Sequence, residues 1–145
     1  NTWIEGFKNF ANKSNFNPKY QLAQMWINRM KAKEYNPVHV HTRCDLSFVL
    51  FLEVPQRMLG ETKKNKTNAA NPGELCFLYG EDSWSIVSEK HFIPVVNTLM
   101  IFPASLRHQV MHFNSKVIRT SVAGNIKFAN WNNYYPGSIV KEGEL

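Results

Sequence analysis

A chain of 145 residues with 43% hydrophobic and 13% aromatic side chains can bury one core without disulfide or metal staples, and is too apolar to be disordered. No apolar run reaches the roughly 20 residues that span a bilayer, and the net charge of +6 points to an anionic partner or substrate, or to solubility alone. The basic residues cluster in "KNFANK", "NRMKAK" and "ETKKNKT", which read as solvated faces and a loop. No zinc-finger, helix-turn-helix or RNA-binding aromatic signature accompanies them, so nucleic acid is not an expected partner.

The chain begins at Asn1 with no charged-then-apolar leader. No signal peptide is therefore expected, and the absence of a starting Met predicts that upstream residues are missing. From Pro18 to Lys33 the spacing predicts a helix, with Leu22, Met25, Trp26 and Met30 on one face, Pro18 in the first turn and Asn36-Pro37 as the stop. The pattern then turns to strands. Leu46 to Val54 is rich in apolar and aromatic residues and is closed by Pro55. "QRMLGETKKNKTNAANPG" reads as a mobile loop, and its stretch from Gln56 to Asn71 is a candidate lid. "ELCFLYG", "TLMIFP" with "RHQVMHF", and "VIRTSVAGNI" follow as strands, with a connection from His91 to Asn97 carrying a short extended piece. The tail from Trp131 is irregular. Cys44 and Cys76 are too few for a disulfide framework and fit a reducing compartment, with the cytoplasm as the expected location. These features predict a single domain over 1–145, mainly β, with a helix at about 18–33 and an antiparallel sandwich or barrel over about 37–126.

Two of the five histidines stand one residue apart in "NPVHVHTRCD". On a strand, His39 and His41 share a face. A third metal ligand would come from elsewhere, and the candidates are His91, His108 and His112. His91 in "SEKHF" reads as an exposed loop residue. His108 and His112 are four residues apart, about 13 Å along a straight strand, so at most one of them joins. If "FNSK" is a hairpin turn, His108 lies opposite Ser121 with Arg119 diagonally beside it on the same face. An interior Arg in an apolar strand is costly unless it meets an anion. Three imidazoles, or two with a carboxylate such as Asp45, suit iron(II) with positions left open, and an Arg nearby suits a two-pronged hold on a carboxylate. The plainer alternative is a set of histidines at the polar mouth of a barrel.

The order of these pieces resembles the iron(II)- and 2-oxoglutarate-dependent oxygenases of the prolyl-hydroxylase-like branch. "NPVHVHTRCDLSFVLFLEVP" stands where that family has a His-x-Asp pair before a strand, and "PGELCFLYG" echoes its "GG-x-L" strand. "PVVNTLMIFPASLRHQV" matches the family's distal stretch at Pro94, Leu99, Phe102, Ser105, His108 and Val110, and "RTS" matches its Arg-x-Ser. The chain is similar above all to small 2OG-Fe(II) oxygenases of marine phages and bacteria, over roughly residues 24 to 126. If it is phage-encoded, the expected location becomes the host cytoplasm.

The resemblance implies a double-stranded β-helix, the jelly-roll or cupin-like barrel. It also implies Fe(II) and 2-oxoglutarate as cofactors, with O2 as cosubstrate, and hydroxylation of a substrate that could be a peptide side chain, a nucleobase or a small metabolite. It assigns metal binding to His39, His41 and His108, with Asp45 as the alternative to His41. The far carboxylate of 2-oxoglutarate falls to Arg119 and Ser121. His41 stands where the broader family has its carboxylate, and Asn97 stands for a turn Gly, which Asn can replace because it tolerates left-handed backbone. The competing readings are a cupin-like metal or small-molecule binding module without turnover, and a phage accessory protein. Trp26, Trp84 and Trp131 are expected to pack the core or rim, and Asn36 either to cap the preceding helix or to orient the cosubstrate with its amide.

Overall fold

The computed structural model describes residues 19–61, 70–80 and 88–129. Trp84, Trp131 and half of the candidate lid (residues 62–69) lie outside these residues. The chain divides into two units, one of residues 22–127 and a smaller one of residues 1–21 and 128–145. In the described part of the smaller unit the Ala129 amide donates to the Lys19 carbonyl, and the Tyr20 ring meets Phe128 edge-on.

The elements run β1 (Tyr20–Met30), β2 (Asn36–His39), β3 (Leu46–Glu53), α1 (Gln56–Leu59), β4 (Leu75–Leu78), β5 (Glu89–Phe92), β6 (Leu99–Pro103), β7 (Arg107–Val110) and β8 (Arg119–Phe128). They form two four-stranded sheets, one ordered β1-β8-β3-β6 and the other β2-β7-β4-β5. Along the chain the strands pass repeatedly from one sheet to the other. This alternation defines a double-stranded β-helix, or jelly roll.

The stretch expected to be a helix at about 18–33 is instead the long strand β1. Its apolar residues fit steps of three and four, yet the burial runs in steps of two: Trp26, Asn28 and Met30 are half-buried, while Met25, Ile27 and Arg29 are exposed. Pairing with β8 overrides helix propensity, in a segment whose Tyr, Trp and Ile also suit a sheet. Gly124 on β8 makes that approach possible. A Cβ there would lie 2.6 Å from the Gln24 carbonyl oxygen and 2.5 Å from the Phe48 ring.

The expected hairpin between β7 and β8 is also absent. β7 pairs with β2 and β4, whereas β8 pairs with β3 and β1. "FNSK" is therefore a crossing between sheets. Phe113 is fully buried, its carbonyl accepts the Lys33 amide, and Glu61 accepts the amides of Asn114 and Ser115.

The core lies between the sheets. Phe51 from β3 and Phe102 from β6 meet Leu75 and Phe77 from β4, together with Val54, Met58 and Phe113. Phe77 and Phe102 meet edge-on with centroids 4.8 Å apart, a favoured aromatic geometry. Met58 on α1 is wholly buried, so the start of the candidate lid is a fixed part of the core. Each of these side chains contributes about 1.5–3 kcal/mol by leaving water. Among the described residues no helix is long and apolar enough to cross a membrane, and both cysteines are free thiols.

Candidate metal centre

Between the sheets opens a cavity of about 410 Å³ whose walls include Trp26, Tyr35, Asn36, His39, His41, Phe102, His108, Arg119 and Ser121. One wall is supplied by β2 and β7. His39 pairs directly with His108 across the two strands, with ring centroids 4.2 Å apart. His41 follows just past the end of β2, where its amide donates to the Ala104 carbonyl. Its ring lies parallel to His108, and the two Nε2 atoms are 3.3 Å apart. One nitrogen from each of the three histidines falls within 4.8 Å of the others. Two nitrogens that each stand about 2.1 Å from one ion, at an angle of 90–110°, are roughly 3.0–3.4 Å apart. The His41–His108 separation fits a shared metal ion.

The chemistry of the rings fits too. His39 Nδ1 is 2.7 Å from the Pro37 carbonyl oxygen, and His108 Nδ1 is 2.9 Å from that of Leu106. A carbonyl only accepts, so each Nδ1 carries the proton and each Nε2 lone pair is left for a metal. Burial, reinforced by the neighbouring imidazoles, lowers the pKa of His41 and pushes that of His108 down to about 4. Both rings are thus neutral at physiological pH, the form that binds metal. Trp26 stacks on His41 at 5.9 Å and fixes its ring. Trp26, expected only to pack the core or rim, thus also orients a candidate ligand; its inward step of two along β1 is the available signal.

The opposite wall is β8, where Arg119, Ser121 and Ala123 alternate inward with small exposures. Arg119 is 3% exposed, and its Nε is buried with no hydrogen-bond partner. Among the described residues no carboxylate lies within ion-pair distance of it. Its guanidinium carbon sits 4.9 Å over the Phe51 ring, a cation–π contact that offsets part of the desolvation cost. Burial lowers its pKa to about 10, so the charge is kept at neutral pH. Gly73 has a φ of +68°, and a Cβ there would meet the Met58 sulfur at 2.7 Å. Glycine at that point thus keeps Met58 seated beside Arg119. A buried cation missing an acceptor, facing a metal-competent trio across one cavity, fits a small carboxylate that also meets a metal.

Asp45 is not among the residues whose donor atoms gather here. Its backbone joins the strands instead, with its amide donating to Ile126 and its carbonyl accepting from Ala104. His112 is exposed on the segment after β7. Asn36 opens β2 and lines the cavity; with β1 a strand, it has no helix to cap. His91, expected in a loop, belongs to strand β5 on the second sheet. Asn97 does adopt a left-handed backbone, with φ 66°.

Residues 24–125 match the family model described as "Putative 2OG-Fe(II) oxygenase". The chain belongs to this 2OG-Fe(II) oxygenase family. Among solved structures, an oxidoreductase of the 2OG-Fe(II) oxygenase family from Burkholderia pseudomallei aligns at 18% identity and a TM-score of 0.58, over 83% of this chain and 50% of that one. The chain therefore spans half the length of that relative, and the likeness bears on the fold. An RmlC-like cupin protein from Desulfovibrio desulfuricans aligns at 16% identity and a TM-score of 0.38, over 74% and 81% of the two chains. A cupin-2 domain containing protein from Shewanella frigidimarina aligns at 10% identity and a TM-score of 0.35, over 83% and 90%. No curated protein sequence matches the chain.

Proposed function

We propose that this oxygenase-family chain is an Fe(II)- and 2-oxoglutarate-dependent dioxygenase that hydroxylates its substrate. His39, His41 and His108 hold the iron, and Arg119 with Ser121 receives the far carboxylate of 2-oxoglutarate. When bound, the iron and its cosubstrate supply the O2-derived oxidising chemistry that inserts oxygen into a C–H bond. The residues of the chain supply position and exclusion. The carbonyls of Pro37 and Leu106 fix the imidazole tautomers, burial keeps His108 neutral, and Phe102 packs edge-on against His108 at 4.9 Å, screening it from water.

The observation that carries this reading is Arg119. A barrel that only binds metal gains nothing from a buried guanidinium lacking an acceptor, whereas a planar fork suits a carboxylate. The test is isothermal titration with 2-oxoglutarate, using Mn(II) in place of iron. Arg119→Ala is expected to lose about 100-fold or more in 2-oxoglutarate affinity, with Mn(II) affinity nearly intact. Arg119→Lys keeps the charge but loses much of the affinity, because an ammonium lacks the two-pronged geometry. Unchanged 2-oxoglutarate binding in the Ala variant would overturn the assignment and favour a metal-binding module without turnover.

A further inference from the structure

Outside the cavity, a second group of metal-competent side chains gathers on the second sheet. Leu75 and Phe77 of β4 turn into the core, so Cys76 between them turns to the other face. β5 is the edge strand of this sheet, and His91 sits directly opposite Cys76, with Glu89 two residues before it. Cys76, Glu89 and His91 each offer a donor atom within 4.8 Å of the others. His91 Nε2 lies 3.5 Å from Cys76 Sγ and 3.0 Å from a Glu89 carboxylate oxygen.

We infer that Cys76, Glu89 and His91 form a second, thiolate-containing site for a divalent cation of the zinc class. A tetrahedral zinc ion with Zn–S near 2.3 Å and Zn–N near 2.05 Å places sulfur and nitrogen about 3.5 Å apart, the separation observed between Cys76 and His91. The histidine is already oriented for the task. Its Nδ1 donates to Glu74 at 3.1 Å, and Glu74 is 3% exposed and fixed in turn by the amide and side chain of Asn71. A buried carboxylate holding Nδ1 so that Nε2 faces the ion is the usual outer support of a zinc-bound imidazole. In the metal-free chain a proton on Nε2 bridges to Glu89, and the cation takes that proton's place while Cys76 gives up its own. Glu89, 53% exposed, leaves the ion open to solvent on one side. The same trio does not suit a nucleophilic thiol, because Cys76 has no exposed surface to offer a substrate. Bound metal would pin the edge strand β5 to β4.

The site is tested by titrating the full chain with Co(II) and reading its absorption. The cavity trio contains no sulfur, so a thiolate-to-cobalt charge-transfer band reports this site alone. The expected result is such a band, saturating at one equivalent in His108→Ala where the cavity trio is broken, retained in Cys44→Ser, and lost in Cys76→Ser and His91→Ala. Because Cys76 is buried and its replacement could disturb folding, the half-exposed Glu89→Gln serves as a second variant. It is expected to keep the band but bind Co(II) on the order of 100-fold more weakly. No thiolate band in the parent chain, a band that follows Cys44 or His108, or undiminished affinity in Glu89→Gln would each overturn the proposal. None of these outcomes depends on whether the cavity binds iron.

Discussion

The two walls of the cavity both carry polar side chains withdrawn wholly or partly from water, yet they stand in opposite states of satisfaction. On the wall from β2 and β7, His39 and His108 each have one ring nitrogen engaged by a carbonyl, at 2.7 and 2.9 Å, and burial favours the neutral form of His108. On the β8 wall, Arg119 is charged, 3% exposed and missing an acceptor for its Nε. A buried group without its partner costs about 1–3 kcal/mol, more when charged. The metal wall is thus prepared at little cost to the fold, whereas the anion wall holds a cost that only a ligand repays. The difference also orders what a substitution on each side should do.

The largest effect is expected on the metal wall. His41→Ala should weaken Mn(II) binding by more than the roughly 10–100-fold typical of outer partners, because it removes one of three converging nitrogens. Asp45→Ala should change that affinity little, since Asp45 lies outside the converging group. Titration of both variants with Mn(II), followed by electron paramagnetic resonance of the free ion, ranks them. The reverse ranking would place a carboxylate in the metal site and dissolve the contrast between a neutral wall and a charged one.

A smaller effect of opposite sign belongs to the anion wall. In the ligand-free chain, Arg119→Met replaces an unsatisfied buried cation with an apolar side chain of similar length. Removing an unsatisfied buried group relieves about 1–3 kcal/mol. The urea midpoint of the variant should therefore rise while 2-oxoglutarate binding is lost. A falling midpoint would mean that the guanidinium is held by the fold for structural reasons, and the anion-pocket reading would lose its main support.

Much of this site could be read from the chain, but partly through the wrong geometry. The strands β3, β4, β6, β7 and β8 are marked by apolar and β-branched runs between Pro, Gly and Asn, and these signals are local. β1 was hidden because Leu22, Met25, Trp26 and Met30 fit a helical step by coincidence, and only pairing with β8 decides the period. The imagined hairpin put His108 beside Ser121 within one sheet. In fact they approach from facing sheets, with His108 opposite His39 and Phe77, and Ser121 opposite Phe51. Parity on each strand survives such an error because inward-facing residues of both sheets meet in one cavity. The Cys76–His91 neighbourhood was not legible at all, since it depends on the register of β4 with the short polar strand β5.

The smallest effect concerns the segment joining the two walls, from the end of β7 to the start of β8. Its corner is tied by Glu61, whose carboxylate accepts the Asn114 amide at 2.9 Å and the Ser115 amide at 2.6 Å. Burial alone would raise the Glu61 pKa, but the hydrogen bonds from Ser115 and Asn114 outweigh it and hold the group below its ordinary 4.5. A carboxyl depressed in the folded state contributes fully above that ordinary value, and its contribution fades as pH falls through the lower folded value. Because the group is near the surface, Glu61→Gln should cost only about 1 kcal/mol at neutral pH. The gap between variant and parent in urea melts should narrow on acidification below pH 4.5. If the corner sets the spacing of the walls, the same variant should weaken 2-oxoglutarate binding in the presence of Mn(II) while leaving Mn(II) affinity alone, because the three histidines all reside on one wall and Arg119 on the other. Equal losses in both affinities would show that the corner supports the fold as a whole and not the distance between its two faces.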